Sequence, residues 1–359
     1  MIRSRAIAKA MKHQLVSLKH DEANDEVFDM SDPGTGKTFV RIMAFARDRK
    51  RGSGCMLVLA PRSLLRAAWA NDFAKFAPHL KVSVATAANR EEAFNTSADV
   101  YVTNHDAAKW LAKQKPAFWL KFKDGHVAGD EATAYKHGTS QRSKAALKIF
   151  QPKVRVFKKR VVMTATPTSN GICDIWHQVA LLDGGKRLGG SFYGFRNSVC
   201  TPQKVGFNAH AIRWHDKEGA EEAVFGLISD IAIRHRIEDC VDIPSTHIYS
   251  VEYELTPKQR RAYNDMSEAQ ILMIGKKKGG PSLSAVNAAA VQTKLCQIAS
   301  GAVYDNDGKP HIIDSSRYES IIDMCEVRKH PIVFFFWKHQ RDALVAEADS
   351  RGLSYAVLD

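Results

Sequence analysis

The chain has 359 residues, 45% of them hydrophobic, so it holds enough apolar material for two ordinary domains and is not expected to be disordered. Its formal net charge of +13 favours a polyanionic partner such as nucleic acid, although the same excess also suits a merely basic soluble protein. The cysteines form no C-x-x-C pair and no apolar run is long enough to cross a membrane. These features exclude zinc-finger and membrane-spanning classes and predict a reducing, cytoplasmic setting, with nucleoid or nuclear association left open.

Short apolar runs alternate with helix-length segments through the first half of the chain. The runs span residues 54–61, 98–104, 125–132 and 159–167. Strands that alternate with helices predict an α/β fold built on a parallel sheet. Functional side chains of such a sheet are expected at the carboxyl ends of its strands.

A phosphate-binding loop is predicted in the segment Val27–Val40, which reads VFDMSDPGTGKTFV. It has a strand-like run, a glycine turn and a helix in the order that such a loop needs. Gly34 and Gly36 would let backbone N–H groups close on phosphate oxygens, Lys37 would reach the terminal phosphates and Thr38 would hold Mg²⁺. The alternative is an ordinary turn before a helix.

An acidic pair follows the predicted strand at 125–132. Asp130 and Glu131 would then lie at a strand end, where one carboxylate can hold Mg²⁺ while the other positions or deprotonates a water molecule. Acidic pairs are also common on protein surfaces. The position of this pair downstream of the glycine loop favours the catalytic interpretation.

Small hydroxyl residues follow the next predicted strand, in MTATPTSNG, residues 163–171. Thr164 and Thr166 could relay the state of a terminal phosphate to a bound strand, because hydroxyls both donate and accept hydrogen bonds. Alone, this motif could be a simple turn. The order of the three motifs along the chain favours a nucleotide-driven machine.

The second half of the chain has a different texture, rich in glycine, aromatic and basic residues at first. We predict a first domain at 1–185, an excursion and linker at 186–235, and a second domain at 236–359. Apolar residues predict strands at 248–255 and at 331–337, the latter buried. A helix is expected to begin beside Thr256 and Pro257, typical helix-starting residues.

These motifs together resemble those of superfamily 2 helicase-type ATPases, and more specifically of Swi/Snf-type DNA translocases. In chain order the similar segments are MKHQ, SDPGTGKT, LAPRSLLRAAWANDFAKF, YVTNHDA, GDEATAYKHGTSQRSKA, MTATPTSNG, DIWHQVALL, FGLISDIAIRHRIEDCVDIP, YELTPKQRRAYNDM, QTKLCQIASG and HPIVFFFWKHQRDAL. The resemblance implies a RecA-like P-loop NTPase domain at 1–185, followed by the N-terminal part of a second RecA-like domain at 236–359.

The resemblance also implies ATP and Mg²⁺ as cofactors. The family pattern A-x-x-G-x-G-K-T puts Ser31 at the alanine position, and an upstream glutamine that reads adenine corresponds to Gln14. Lys37, Asp130 and Glu131 would be catalytic, with Thr38 and Asp130 holding Mg²⁺. The residues expected to contact the nucleotide are Gln14, Ser31, Gly34, Thr35, Gly36, Lys37 and Thr38.

DNA, expected as a duplex held through its phosphates, is the partner that the resemblance implies. The expected contacts are Pro61, Arg62, Ser63, Thr103 and Asn104, and the residues expected to couple the two sites are Thr164, Ala165 and Thr166. Basic residues outside the motifs could add phosphate contacts or could simply be solvated. They are Arg155, Lys158, Lys159, Arg160, Lys276, Lys277 and Lys278.

The sequence departs from the family pattern in three places. Thr133 stands where the acidic motif has histidine, and no aromatic residue precedes Gln14. The family's motifs V and VI, with their arginine finger, do not occur in the chain. We therefore expect a truncated translocase with impaired hydrolysis, or a natural short protein that takes its arginine from a protein partner.

Two other functions remain open from the sequence. One is an ATP-gated DNA-binding or regulatory module with little or no turnover. The other is an AAA+ type remodeller, in which PGTGKT would be equally at home, but MTATP argues against it.

Overall fold

The computed structural model describes residues 10–152, 156–204, 212–275 and 285–358, with side chains left out at 269–275 and 285–289. Two compact units divide the chain, Met1–Ser245 and Thr246–Asp359. Each unit has its own secondary structure.

The first unit is an α/β domain. Its strands are β1 Glu26–Asp29, β2 Met56–Ala60, β3 Val82–Ala85, β4 Val100–Asn104, β5 Gly125–Asp130, β6 Phe157–Met163, β7 Cys200–Lys204, β8 Ile212–Asp216 and β9 Ala232–Ile233. Its α-helices are α1 Lys12–Ala23, α2 Lys37–Lys50, α3 Asn71–Phe76, α4 Arg90–Asn95, α5 Ala108–Leu111, α6 Pro116–Trp119, α7 Gln141–Phe150, α8 Ile175–Asp183, α9 Phe192–Val199, α10 Ala220–Leu227 and α11 Ile237–Cys240. A π-helix, Leu65–Ala70, precedes α3.

Seven strands form one sheet in the order β3-β4-β2-β5-β6-β1-β9, and all of the pairings are parallel. The α/β prediction is therefore confirmed, and the four runs predicted as strands are β2, β4, β5 and β6. The sequence patterns did not predict β3 or the two-residue strand β9. They also did not predict the antiparallel hairpin of β7 and β8, which lies within the predicted excursion.

Helices cover both faces of the sheet, and successive side chains along a strand point to opposite faces. Met56 and Val58 pack with the apolar residues of α2 and α3, whereas Leu57 and Leu59 pack with those of α7 and α8. Both sets are buried, so β2 is a continuous apolar run. This two-sided core fixes the strand ends that carry the site.

A buried ion cluster attaches α1 to the rest of the first unit. Asp21 is fully buried and accepts hydrogen bonds from Arg41 on α2 and from Lys159 on β6. Arg47 reaches the same carboxylate at 3.1 Å. Burial opposes ionisation, but the charges of Arg41 and Lys159 hold the pKa of Asp21 below its ordinary value.

The second unit contains two helical pairs and a small hairpin. Its elements are α12 Pro257–Gly275, α13 Ala285–Ala299, β10 Ala302–Tyr304, β11 Pro310–Ile312, α14 Ser316–Glu326 and α15 Lys338–Ser350. The helix expected at Pro257 is present, but the strands predicted at 248–255 and 331–337 are wrong. Neither segment has a ladder partner among the residues placed in this unit, and Phe334 is 92% exposed.

Within the ranges that the structure covers, no helix is both long enough and apolar enough to cross a membrane.

Candidate nucleotide and nucleic-acid site

The carboxyl ends of the sheet strands gather the motif residues of the first unit at one edge. In the register of neighbouring strands, Asp29 at the end of β1 pairs with Met163 of β6, which pairs with Asp130 of β5. The backbone N–H of Thr164 donates to Asp29 at 3.0 Å and continues this alignment. The glycine loop, the hydroxyl motif and the acidic pair therefore begin side by side.

The glycine loop has the backbone of a phosphate cradle. Gly34 and Gly36 have φ values of +85° and +84°, which side-chain-bearing residues rarely adopt. Helix α2 begins directly after Gly36, so its free N–H groups face the loop. The ammonium of Lys37 donates to the carbonyls of Ser31 at 2.6 Å and Asp32 at 3.1 Å. An anion bound in the cradle would meet this charge and the helix N-terminus together.

Gln14 lies against the glycine loop although it is distant in sequence. Its Nε2 donates to the carbonyl of Thr35 at 3.1 Å, and its Oε1 accepts from the N–H of Met11 at 3.0 Å. A Cβ on Gly36 would come within 2.3 Å of the same Nε2. The glutamine and the loop are thus packed as one unit.

The acidic pair has two different environments. Oδ2 of Asp130 accepts from the indole N–H of Trp69 at 2.9 Å, and burial raises the pKa of this carboxyl. Glu131 is less buried, and its pKa is raised first by burial and then by the charge of Asp130. A fixed, buried carboxylate suits a metal ligand, and a more accessible carboxylate of raised pKa suits a proton acceptor.

Ser31 has a contact that an alanine would lack. Its hydroxyl accepts from the N–H of His235 at 3.1 Å, and the carboxylate of Asp32 accepts from the N–H of Ile237 at 3.0 Å. The segment after β9 is therefore bonded to the glycine loop. No local sequence pattern signals these contacts, because the partners are about two hundred residues apart and join through backbone groups.

The expected DNA-contacting residues lie on the same edge of the sheet and differ in accessibility. Arg62 and Ser63, after β2, are exposed, and Pro61 is half-buried. Asn104, at the end of β4, is half-buried. Thr103 is fully buried and its hydroxyl donates to Ala85 on β3 at 2.8 Å, so its side chain does not reach the surface.

The expected coupling residues also divide by burial. Thr164 is fully buried, and its hydroxyl accepts from the N–H of Thr166 at 3.2 Å. Ala165 and Thr166 are more accessible. The hydroxyl of Thr164 therefore shapes the turn, and only the residues beyond it face the edge.

For two of the basic residues outside the motifs, the structure contradicts the expected phosphate contact. Lys159 is buried against Asp21, and Arg160 is buried with its guanidinium on Glu26 at 2.7 Å. Internal ion pairs hold both of these cations, so they are not available to phosphates and the expectation for them was wrong. Lys158 is exposed. Arg155 and Lys276, Lys277 and Lys278 lie outside the described residues.

Three residues near the site were missed by the sequence reading. Trp69 orients Asp130, and Tyr135 lies 2.7 Å from Nδ1 of His105. A buried indole or phenol needs a hydrogen-bond partner, and this is the one signal by which the sequence could have indicated Trp69 and Tyr135. The identity of each partner depends on the three-dimensional fold.

A family model for the SNF2-related domain matches residues 27–299. The chain belongs to the SNF2-related family. With the seven-stranded parallel sheet, this makes the first unit a RecA-like ATPase fold of the SNF2 type.

Individual relatives show how much of each protein the chain spans. It is 28% identical over 328 residues to putative protein p41 of Acyrthosiphon pisum secondary endosymbiont phage 1, covering 87% of this chain and 68% of that protein. It is 24% identical to the TATA-binding protein-associated factor MOT1 of Saccharomyces cerevisiae, covering 88% of this chain and 16% of the yeast protein.

A solved structure shares the SNF2-related fold. The SWI2/SNF2 ATPase core of Sulfolobus solfataricus in complex with dsDNA aligns with a TM-score of 0.51 at 22% identity. The alignment covers 96% of this chain and 65% of the archaeal one, so the chain spans just under two thirds of that core.

Proposed function

We propose that this chain is the ATP- and DNA-binding motor core of a Swi/Snf-like translocase, which couples ATP hydrolysis to movement along duplex DNA. The observation that carries the proposal is the single sheet edge on which the Lys37 loop, Asp130 and Glu131, and the exposed residues Arg62 and Ser63 converge. Membership of the SNF2-related family and the likeness to an ATPase core solved with dsDNA support it.

The residues at this edge fit ATP and Mg²⁺. Two backbone carbonyls hold the ammonium of Lys37, and phosphate oxygens could take their place as its partners. Thr38, in the first turn of α2, and Asp130, held by Trp69, would hold Mg²⁺, which supplies charge neutralisation on the phosphates. Glu131 would accept the proton of the attacking water, and Gln14 would face the base.

The DNA would lie across the accessible strand ends. Pro61, Arg62 and Ser63 after β2 and Asn104 at the end of β4 would contact backbone phosphates, which positions a duplex without reading its bases. The turn at Thr164, Ala165 and Thr166, between the loop strand and the acidic strand, would respond to both ligands. The side chain of Thr103 would not take part, because it is buried.

Full turnover would need an arginine finger beside the phosphates. We propose that this arginine comes from a partner polypeptide or from a C-terminal segment that continues the second RecA-like domain. Such an arginine is worth roughly 10³–10⁵ in rate in related phosphoryl-transfer enzymes. Slow hydrolysis by the chain alone, accelerated when that segment is supplied, is the expected behaviour.

Phosphate release with and without duplex DNA tests the proposed activity. We expect release to rise with DNA and to be lost in Lys37→Ala, because the ammonium is the loop's charge for phosphate. Lys50→Ala, at the exposed end of the same helix, is the matched control and should keep the activity. Release that ignores DNA, or that survives Lys37→Ala, would contradict the proposal. If the chain instead retained DNA only with bound nucleotide and released no phosphate, the result would favour the ATP-gated binding module.

A further inference from the structure

The segment that follows the acidic pair is held in an unusual backbone conformation. Glu131 is left-handed, with φ +47° and ψ +56°, which a residue with a side chain keeps only where its surroundings enforce it. The chain then makes a 3-10 turn, Ala132–Tyr135, whose first and last residues are fully buried. The anchors of this turn therefore determine where Glu131 lies.

The principal side-chain anchor is a hydrogen bond between two aromatic rings. The hydroxyl of Tyr135 lies 2.7 Å from Nδ1 of His105, and the rings meet edge to face with centroids 4.9 Å apart. Both residues are buried, and burial lowers the pKa of His105 to about 4, so its imidazole is neutral at pH 7. His105 is the residue directly after Asn104.

This contact joins two strand ends that the sheet itself does not join. Asp130 ends β5 and Asn104 ends β4, and β2 lies between these strands in the sheet. No backbone ladder can therefore carry a shift of one strand end directly to the other. The bond from Tyr135 to His105 spans the intervening strand.

Two further contacts make the turn a junction. The hydroxyl of Ser143 on α7 donates to the carbonyl of Tyr135 at 3.1 Å, which fixes the backbone beneath the ring. The ammonium of Lys136 donates to Ser169 at 2.9 Å and to Asp174 at 3.2 Å, in the segment after the Thr164–Thr166 turn. Displacing Glu131 would disturb contacts to both of these neighbours.

We propose that the hydrogen bond between Tyr135 and His105 transmits nucleotide occupancy at Asp130 and Glu131 to the DNA-contacting strand end at Asn104. Tyr135 and His105 are thus positioning residues, touching neither nucleotide nor DNA. The inference rests on the proposed function, since it presumes that both ligands bind at this edge. It deepens that function by naming the route between the two ligands.

The test is a binding linkage measured without turnover. Fluorescence anisotropy gives the Kd of a labelled duplex oligonucleotide with and without Mg²⁺ and a non-hydrolysable ATP analogue. We expect the wild-type Kd to change with nucleotide, within the roughly 5–150-fold range of typical coupling between sites. In Tyr135→Phe we expect the ratio of the two Kd values to move about three- to tenfold toward one. Nucleotide affinity without DNA, and DNA affinity without nucleotide, should stay within about twofold of wild type.

Tyr101→Phe is the matched control for loss of a buried tyrosine hydroxyl. Tyr101 is also buried, lies on β4 and donates to the carbonyl of Thr96 at 2.7 Å, away from the strand end. Its variant should keep the wild-type ratio. A Tyr135→Phe ratio equal to that of wild type, or an equal fall in ratio in Tyr101→Phe, would overturn the inference.

Variants at His105 separate coupling from folding. His105→Asn keeps a polar atom close to Nδ1 and should retain the coupling, whereas His105→Leu should lose it. Tyr135→Phe added to His105→Leu should cause no further loss, because the two residues act through one bond. Additive losses in the double variant would overturn the inference. A wild-type ratio of one would reject the inference together with its premise of linked ligand sites, whereas failure of DNA to bind at all would reject the proposed function itself.

Discussion

At the scale of single residues, the acidic pair depends on a neighbour from another motif. The indole N–H of Trp69, in the π-helix after β2, fixes one oxygen of Asp130 and opposes the rise in its pKa that burial causes. The segment expected to contact DNA therefore also orients the expected magnesium ligand. One segment thus holds both the exposed residues Arg62 and Ser63 and the buried indole that orients Asp130.

Trp69→Phe should weaken Mg²⁺-dependent ATP binding by about tenfold. The variant removes a hydrogen bond to a buried carboxylate, which is worth about 1.5 kcal/mol or more, and raises the pKa of Asp130 further. Titration of ATP binding against Mg²⁺ concentration measures the effect. Trp119→Phe, in a different aromatic cluster, should bind as wild type does. Equal behaviour of the two variants would refute the assigned role of Trp69.

At the scale of elements, the glycine-loop helix is held in place by charge. Asp21 on α1 joins α2 and β6 through Arg41 and Lys159, and α1 also carries Gln14. A loss of this carboxylate would leave buried cations without a counter-charge. The same cluster therefore stabilises the fold and sets the position of Gln14.

Asp21→Asn should reduce the free energy of unfolding by about 3–5 kcal/mol, because it breaks a buried ion pair on one side. Chemical denaturation of the chain measures the loss. Glu22→Gln is the matched control, since this neighbouring carboxylate is 53% exposed and pairs with Arg51 at the surface. Its variant should lose no more than about 1 kcal/mol. A loss of about 1 kcal/mol or less in Asp21→Asn would show that the ion cluster does not hold α1 and α2 in place.

Helix α8 carries a buried histidine that makes stability depend on pH. Burial lowers the pKa of His177 to about 4, below the ordinary value of about 6.5. The unfolded chain therefore takes up the proton first, and stability should fall as the pH falls from 6.5 to 4, by up to about 3 kcal/mol. His177→Leu should reduce the slope of this part of the stability profile, with the buried His105 still contributing, while His137→Leu, at an exposed site, should leave it unchanged. Unchanged acid sensitivity in His177→Leu would contradict the assignment.

At the scale of the whole molecule, local patterns predicted more of the sheet than of its connections. The buried parallel strand β2 is apolar throughout, and the glycine loop is recognisable from the spacing of Gly34, Gly36 and Lys37. The bond from Ser31 to His235 and the strand β9 have no local signature. An apolar run also failed as evidence at 331–337, where a strand needs a partner that its own sequence does not specify.

DNA binding by the molecule should be electrostatic and strongly salt-dependent. Each phosphate contact that is lost should lower the slope of log affinity against log salt by about one. Arg62→Ala should show this change for duplexes of any sequence, because phosphate contacts carry no base information. Lys50→Ala, at the far end of α2, should keep the wild-type slope. An unchanged slope in Arg62→Ala would remove this residue from the DNA surface.

Movement along duplex DNA, as proposed for a motor core, can be measured by strand displacement. The measurement is ATP-driven release of a labelled third strand from a triplex placed along a duplex track, with the chain supplied with any arginine-bearing segment that proves necessary for turnover. We expect release of the third strand that requires ATP and is lost in Lys37→Ala. Steady ATP hydrolysis on the same duplex without release of the third strand would contradict the proposed movement.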